Sequence, residues 1–213
     1  INFSANDKLK IAKKLDELGI HFIEGGWPGS NKRDESFFEM AKGVTFKNAK
    51  LTAFGATHKH GITAAEDRHL NAIIESGAPV ATIFGKTWDL HVEKVLNIGR
   101  GDNLKLIRES VEYLKQNNLE IHYDAEHFFD GFKDNPEYAV ETLKAAVAGG
   151  ADSLVLCDTN GGTLPHEIEQ IMTETRESLF NDPALGDAAK NIRFGIHTHN
   201  DSGLAVANSI TAV

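Results

Sequence analysis

Sulfur is almost missing from this chain of 213 residues, in which Cys157 is the only cysteine. One thiol cannot form an intrachain disulfide, so a packed core must hold the fold, and a reducing, cytoplasmic setting is expected. Long apolar runs are missing too. Every apolar stretch falls well short of the ~20 residues that cross a bilayer, so no membrane partner is expected. Positive charge is in deficit, with 22 Lys and Arg against 31 Asp and Glu and a formal net charge of −9. Bulk neutralisation of phosphates needs the opposite balance, which argues against a nucleic-acid partner. No basic-then-apolar leader opens the chain, which begins at Ile1 rather than methionine, so a piece of a longer protein is expected. Linkers, low-complexity tracts and internal repeats beyond a βα rhythm are also lacking.

What is present is a regular alternation. Apolar residues make up 41% of the chain, enough for one sizeable core, and a single domain over residues 1–213 is expected. Short apolar or β-branched runs at 20–24, 51–56, 80–84, 120–124, 153–157 and 192–196 read as strands. Between them lie helical patterns at 7–18, 33–42, 65–76, 103–117, 136–148 and 165–180. Ser4 with Asp7 supplies a capping signal for the first helix and Gly19 a stop. Pro136 and Pro165 sit well in first turns, and a last helix start lies within 202–213. Phe128 and Phe129 read as packing residues, and 181–190 as the most polar connection.

Strand, helix, strand without hairpin signals means parallel pairing, because each helix returns the chain to the same end of the sheet. No Gly-x-Gly-x-x-Gly follows the first strand, and polar residues follow nearly every strand rather than one switch point. Both features favour a TIM (β/α)8 barrel over an open doubly wound sheet. Eight units usually need ~250 residues, so the barrel is expected to be truncated, lacking its first and last strands. An incomplete edge of that kind favours pairing with a second copy, as a homo-oligomer such as a dimer.

In a parallel barrel the strand C-termini share one face. That rule collects Glu24, Thr57, Lys86, Asp124, Glu126, Asp158, Thr159, His197 and His199. Residues two apart on a strand point the same way with Cα atoms roughly 6.6 Å apart, so His197 and His199 can take adjacent positions on one metal. Two imidazoles with a carboxylate make a common open site for a divalent ion. Taken alone, His-x-His serves equally well as a hydrogen-bonded strand end. His58-Lys59-His60 repeats the spacing but precedes Gly61 in a loop and reads as solvated surface. Asp124 and Glu126 share a face and can orient a substrate, hold water or move a proton, or simply cap helices. Asp158-Thr159-Asn160-Gly161-Gly162 suits a carboxylate, and is equally an ordinary turn. Gly25-Gly26-Trp27-Pro28-Gly29 admits a ligand near the backbone or makes a tight turn, and His91 is a further rim candidate among histidines that are commonly exposed.

Four segments carry a resemblance: Ile23-Glu24-Gly25-Gly26-Trp27-Pro28-Gly29-Ser30, Asp124-Ala125-Glu126-His127-Phe128-Phe129-Asp130-Gly131, Leu156-Cys157-Asp158-Thr159-Asn160-Gly161-Gly162-Thr163-Leu164-Pro165, and His197-Thr198-His199-Asn200-Asp201. In this order they resemble the 2-isopropylmalate, homocitrate and citramalate synthase family, the first two segments being most similar to the citramalate synthase branch. The resemblance implies a catalytic TIM barrel that condenses acetyl-CoA, as co-substrate, with a small 2-oxo acid, pyruvate first among them, in branched-chain amino acid biosynthesis. It implies a divalent metal (Mg, Mn or Zn) on His197 and His199, Glu126 as the catalytic carboxylate, and Thr159 on the oxo acid's carboxylate. Asp124 and Glu24 match as neighbours in the substrate site, with His91 placed beside them. The family's third ligand, an aspartate in an Asp-x-x-x-Arg-Asp-Gly type segment, would precede Ile1, and its final strand with a Gly-Glu-Arg type motif would follow Val213. The alternatives are a metal-dependent carbon-carbon lyase or aldolase on the same template, and a catalytically silent fragment.

Overall fold

The structure, a computed structural model, describes residues 3–213, so Ile1 and the expectation of a preceding segment lie outside the described residues. The chain runs α1 (Ala5–Leu18), β1 (Phe22–Gly26), α2 (Lys32–Ala41), β2 (Lys50–Ala56), a 3₁₀ turn (Ala64–Glu66), α3 (Arg68–Glu75) and β3 (Val80–Lys86). A short α4 (Asp89–His91) passes into a π-turn (Val92–Leu96), followed by α5 (Arg100–Gln116), β4 (Glu120–Glu126), α6 (Phe128–Asp134) and α7 (Pro136–Gly149). The rest is β5 (Ser153–Asp158), α8 (Pro165–Phe180), α9 (Asp187–Asn191), β6 (Arg193–Thr198) and α10 (Ala205–Thr211).

Local chemistry sets the helix ends. The Ser4 hydroxyl accepts the Asp7 N–H while the Asp7 carboxylate accepts the Ser4 N–H, and Gly19 closes α1 in the left-handed region at φ 86°. The 65–76 pattern is not one helix. Asp67 breaks it because its carboxylate accepts the His69 and Leu70 N–H groups and so starts α3 afresh. The start of α5 lies at Arg100, ahead of the predicted position, and α4, α6 and α9 are additional. No helix among the described residues is long and apolar enough to cross a membrane.

All strand pairs are parallel and the order is β1-β2-β3-β4-β5-β6, so each unit lies beside its predecessor. Alternation along the strands divides the residues cleanly. Ile23, Ala53, Ile83, Ile121, Tyr123, Ala125, Leu154 and Leu156 are buried in the core on the side covered by helices. The opposite side carries Glu24, Phe54, Phe84, Lys86, Glu120, His122, Asp124, Glu126, Cys157, Arg193 and His197. This second face is concave. A flat sheet would put β1 and β6 five spacings, about 24 Å, apart, yet the Arg193 guanidinium on β6 lies 5.7 Å from the Phe22 ring on β1. The two edge strands do not pair with each other. The molecule is an arc of six consecutive β/α units of a TIM (β/α)8 barrel, with polar residues on the inner surface and the apolar core outside it.

One expectation fails locally. His58 is buried, at 3% exposure, rather than solvated, because α5 packs over it: the Ser110 hydroxyl accepts its N–H and Glu109 lies 3.5 Å from its Nε2. His91, a rim candidate, is half-buried, set against Trp88 and His127.

Candidate active site

Three adjacent strands bring their C-terminal ends to one point on the concave face. Cys157 is the register partner of His197, and Asp124 is paired with Val155, one inward position below Cys157. As a result one ligand atom each of Asp124, Cys157 and His197 lie within 4.8 Å of one another. The His197 and His199 rings stack at 5.1 Å with 27° between their planes, so both imidazoles leave β6 on the same side. Gly161 makes room for this turn. Its φ is 62°, and a Cβ there would stand 2.9 Å from the His199 carbonyl oxygen.

The electrostatics follow from the crowding. The Asp124 carboxylate, 3.9 Å from Nδ1, raises the His197 pKa against the opposing effect of burial, and Glu24 adds to the rise. Glu24 is itself raised, first by withdrawal from bulk water and then by Asp124, with His197 and Lys8 opposing. Its side chain stays exposed along the open inner surface, so that withdrawal is partial. Burial, then Asp124 and Glu126, push the Cys157 thiol up. The donor set of imidazoles and a carboxylate fits a divalent cation, while the protonated thiol stays out of a hard ion's shell.

A second group lies beside it. The Lys86 ammonium pairs with the Glu126 carboxylate, and the Glu126 carbonyl accepts from both the N–H and the hydroxyl of Thr87. Thr159 Oγ1 accepts the His127 N–H at 2.9 Å, which leaves the hydroxyl proton free to donate. His127 holds the left-handed conformation at φ 58°, its Nδ1 is 3.2 Å from Asp130, and Asn160 donates to the same carboxylate oxygen at 3.0 Å. Glu126 and Thr159 are thereby tied to one another through His127. His91 stands edge-on to His127 at 4.5 Å, and burial, followed by His127 and Lys86, lowers its pKa. It belongs to this rim group rather than to the Asp124–Cys157–His197 cluster.

Of the other strand-end residues, Asp158 is fully buried and accepts the Thr163 hydroxyl at 2.8 Å, which makes it a turn anchor. The residue that sequence reasoning missed is Cys157. A buried cysteine reads as a small apolar residue, and only its register with His197 singles it out.

The HMGL-like family model matches residues 1–213. The (R)-citramalate synthase of Aquifex aeolicus is 53% identical over 213 residues, covering 100% of this chain and 38% of its own length. The (R)-citramalate synthase of Geobacter sulfurreducens is 52% identical, with the same 100% and 38% coverage. The chain thus spans well under half the length of these curated relatives. Among solved structures, the HMG-CoA lyase of Bacillus subtilis superposes with a TM-score of 0.75 at 21% identity, covering 100% of this chain and 67% of its own, which is a likeness of fold. With the family model matched from end to end, this chain belongs to the HMGL-like family.

Proposed function

We propose that this chain forms the metal-binding arc of a catalytic barrel that condenses acetyl-CoA with a small 2-oxo acid, pyruvate giving citramalate. The observation that carries the reading is the stacked pair His197 and His199 beside Asp124 at the strand ends, in a chain 53% identical to a protein named (R)-citramalate synthase. His197 and His199 would hold a divalent cation (Mg, Mn or Zn), with the Asp124 carboxylate 3.9 Å from the His197 Nδ1. The chemistry a bound cation supplies is polarisation of the oxo acid's carbonyl.

The remaining roles rest on this chain's own side chains. The free Thr159 hydroxyl proton donates to the oxo acid's carboxylate, and the His127 N–H on its oxygen fixes the direction of that donation. Glu126 takes up and passes on a proton at its carboxylate, held in place by Lys86. Glu24 and Asp124 border the substrate from β1 and β4, and His91 backs the rim through His127. Citramalate and CoA leave after water cleaves the thioester. A cytoplasmic biosynthetic enzyme, paired as a homodimer, fits this chemistry.

The test is to incubate the full-length protein with acetyl-CoA, Mn²⁺ or Mg²⁺ and a panel of 2-oxo acids, and to measure the free thiol released. Pyruvate is expected to give the fastest release. Absence of release with every acid overturns the reading.

A further inference from the structure

We propose that Cys157, Asp124 and His197 form a soft-metal trap, a trio that captures a soft ion such as Cd²⁺ through sulfur and takes His197 away from the cation used in catalysis. The inference rests on the reading of His197 as a metal-binding residue and adds a donor that this reading does not use.

The placement is a consequence of strand geometry. Inward-facing positions recur every second residue, and parallel register sets Cys157 beside His197 and one inward step above Asp124. The three donors come from three neighbouring strands and are already within 4.8 Å of one another. An ion between them therefore asks only for side-chain adjustment. Cys157 is 5% exposed, and the hydrogen bond its thiol makes, 3.6 Å to the Val155 carbonyl, is weak, so little hydrogen bonding is lost when it turns toward a metal. His197 is exposed on the concave face and gives the ion its way in.

Ligand softness then decides which ions respond. A thiolate with an imidazole and a carboxylate suits a soft ion such as Cd²⁺, whereas Mg²⁺ and Mn²⁺ prefer oxygen and gain little from sulfur. On capture the S–H bond breaks, its proton leaves to solvent and one sulfur–metal bond forms, with no change of oxidation state. Without a soft ion the thiol stays protonated and packs as a small apolar group. His199 lies outside the trio, so the same His197 ring is contested by two different donor sets.

The experiment titrates the full-length protein and its Cys157→Ser and Cys157→Ala variants with Cd²⁺ alone, reading the near-ultraviolet thiolate-to-metal absorption. Mn²⁺ affinity is measured in parallel by calorimetry. The expected result is a saturable absorption that is lost in both variants. Their Cd²⁺ affinity should fall by more than about tenfold, the loss that even outer partners of a metal cause, with Mn²⁺ affinity preserved. Identical Cd²⁺ spectra in all three proteins, with Mn²⁺ still bound, overturn the trap and leave the metal site standing. Failure of the unaltered protein to bind Mn²⁺ or Cd²⁺ overturns both.

Discussion

Glu126 is the residue on which the proposed proton movement depends, and its surroundings make it a clean target. Its carboxylate meets Lys86 and its carbonyl is held by Thr87, so a change to glutamine keeps the shape and removes the proton acceptor. In Glu126→Gln, kcat for thiol release should fall roughly 10²- to 10⁴-fold, the usual contribution of a placed acid or base. The KM for acetyl-CoA should stay within about threefold if the loss falls on the chemical step. A kcat within a factor of two of the unaltered enzyme would remove Glu126 from the proton path. At this scale the sequence is legible where topology alone brings residues together. Asp124, Glu126, Thr159, His197 and His199 were identifiable as candidates because each lies at or just past the C-terminal end of a strand. Cys157 was not, since its importance comes from register with a neighbouring strand, which no local pattern encodes. His58 was misread for a similar reason: the helix that buries it lies 52 residues further on.

Among the elements, the strands were found but their ends were placed too early. β1, β3 and β4 each continue two residues past the apolar run, through Gly25-Gly26, Gly85-Lys86 and Ala125-Glu126. Glycine and charge look unlike strand, yet pairing with each other, Gly85 with Ala125 and Lys86 with Glu126, keeps β3 and β4 extended to their ends. The helix α6 was missed because its seven residues, Phe128–Asp134, are too few to show a helical period. It is nonetheless tightly fitted. A Cβ on Gly131 would stand 2.8 Å from the Thr87 carbonyl oxygen and 3.0 Å from Trp88 Cα, both backbone atoms that cannot swing aside. Alanine normally gains up to ~1 kcal/mol over glycine in a helix, whereas overpacking of this kind costs about 1 to 3 kcal/mol, so the contact decides the sign. Gly131→Ala should lower the thermal midpoint of the full-length protein. Because Thr87 holds the Glu126 carbonyl, it should lower kcat as well. An unchanged or raised midpoint would show that α6 sits more loosely than this packing requires.

For the whole molecule, curvature is what turns a row of strands into a candidate site, and charge helps hold it at the end opposite the proposed catalytic residues. Glu120 on β4 reaches Lys50 on β2 at 2.6 Å and Arg193 on β6, linking alternate strands across the concave face. Burial alone would raise this carboxyl, but the Lys50 ammonium and Arg193 guanidinium outweigh it and hold the pKa at about 2. His122, 3.5 Å away, is itself lowered by burial. A carboxyl depressed from 4.5 to about 2 stabilises the fold fully above the unfolded value. That contribution fades as the pH drops through the interval between the two values. The full shift corresponds to a ceiling of ~3.4 kcal/mol. Lys50 and Arg193 are 56% and 52% exposed, so solvent screening reduces this to roughly 1 to 2 kcal/mol. Urea melts of the full-length protein and Glu120→Gln should therefore differ by that amount at pH 7. The gap should stay nearly constant down to about pH 5 and shrink to about a fifth or less by pH 3. A gap that persists undiminished at pH 3 would mean the loss comes from packing rather than charge, and that the curl of the sheet owes nothing to this ion cluster.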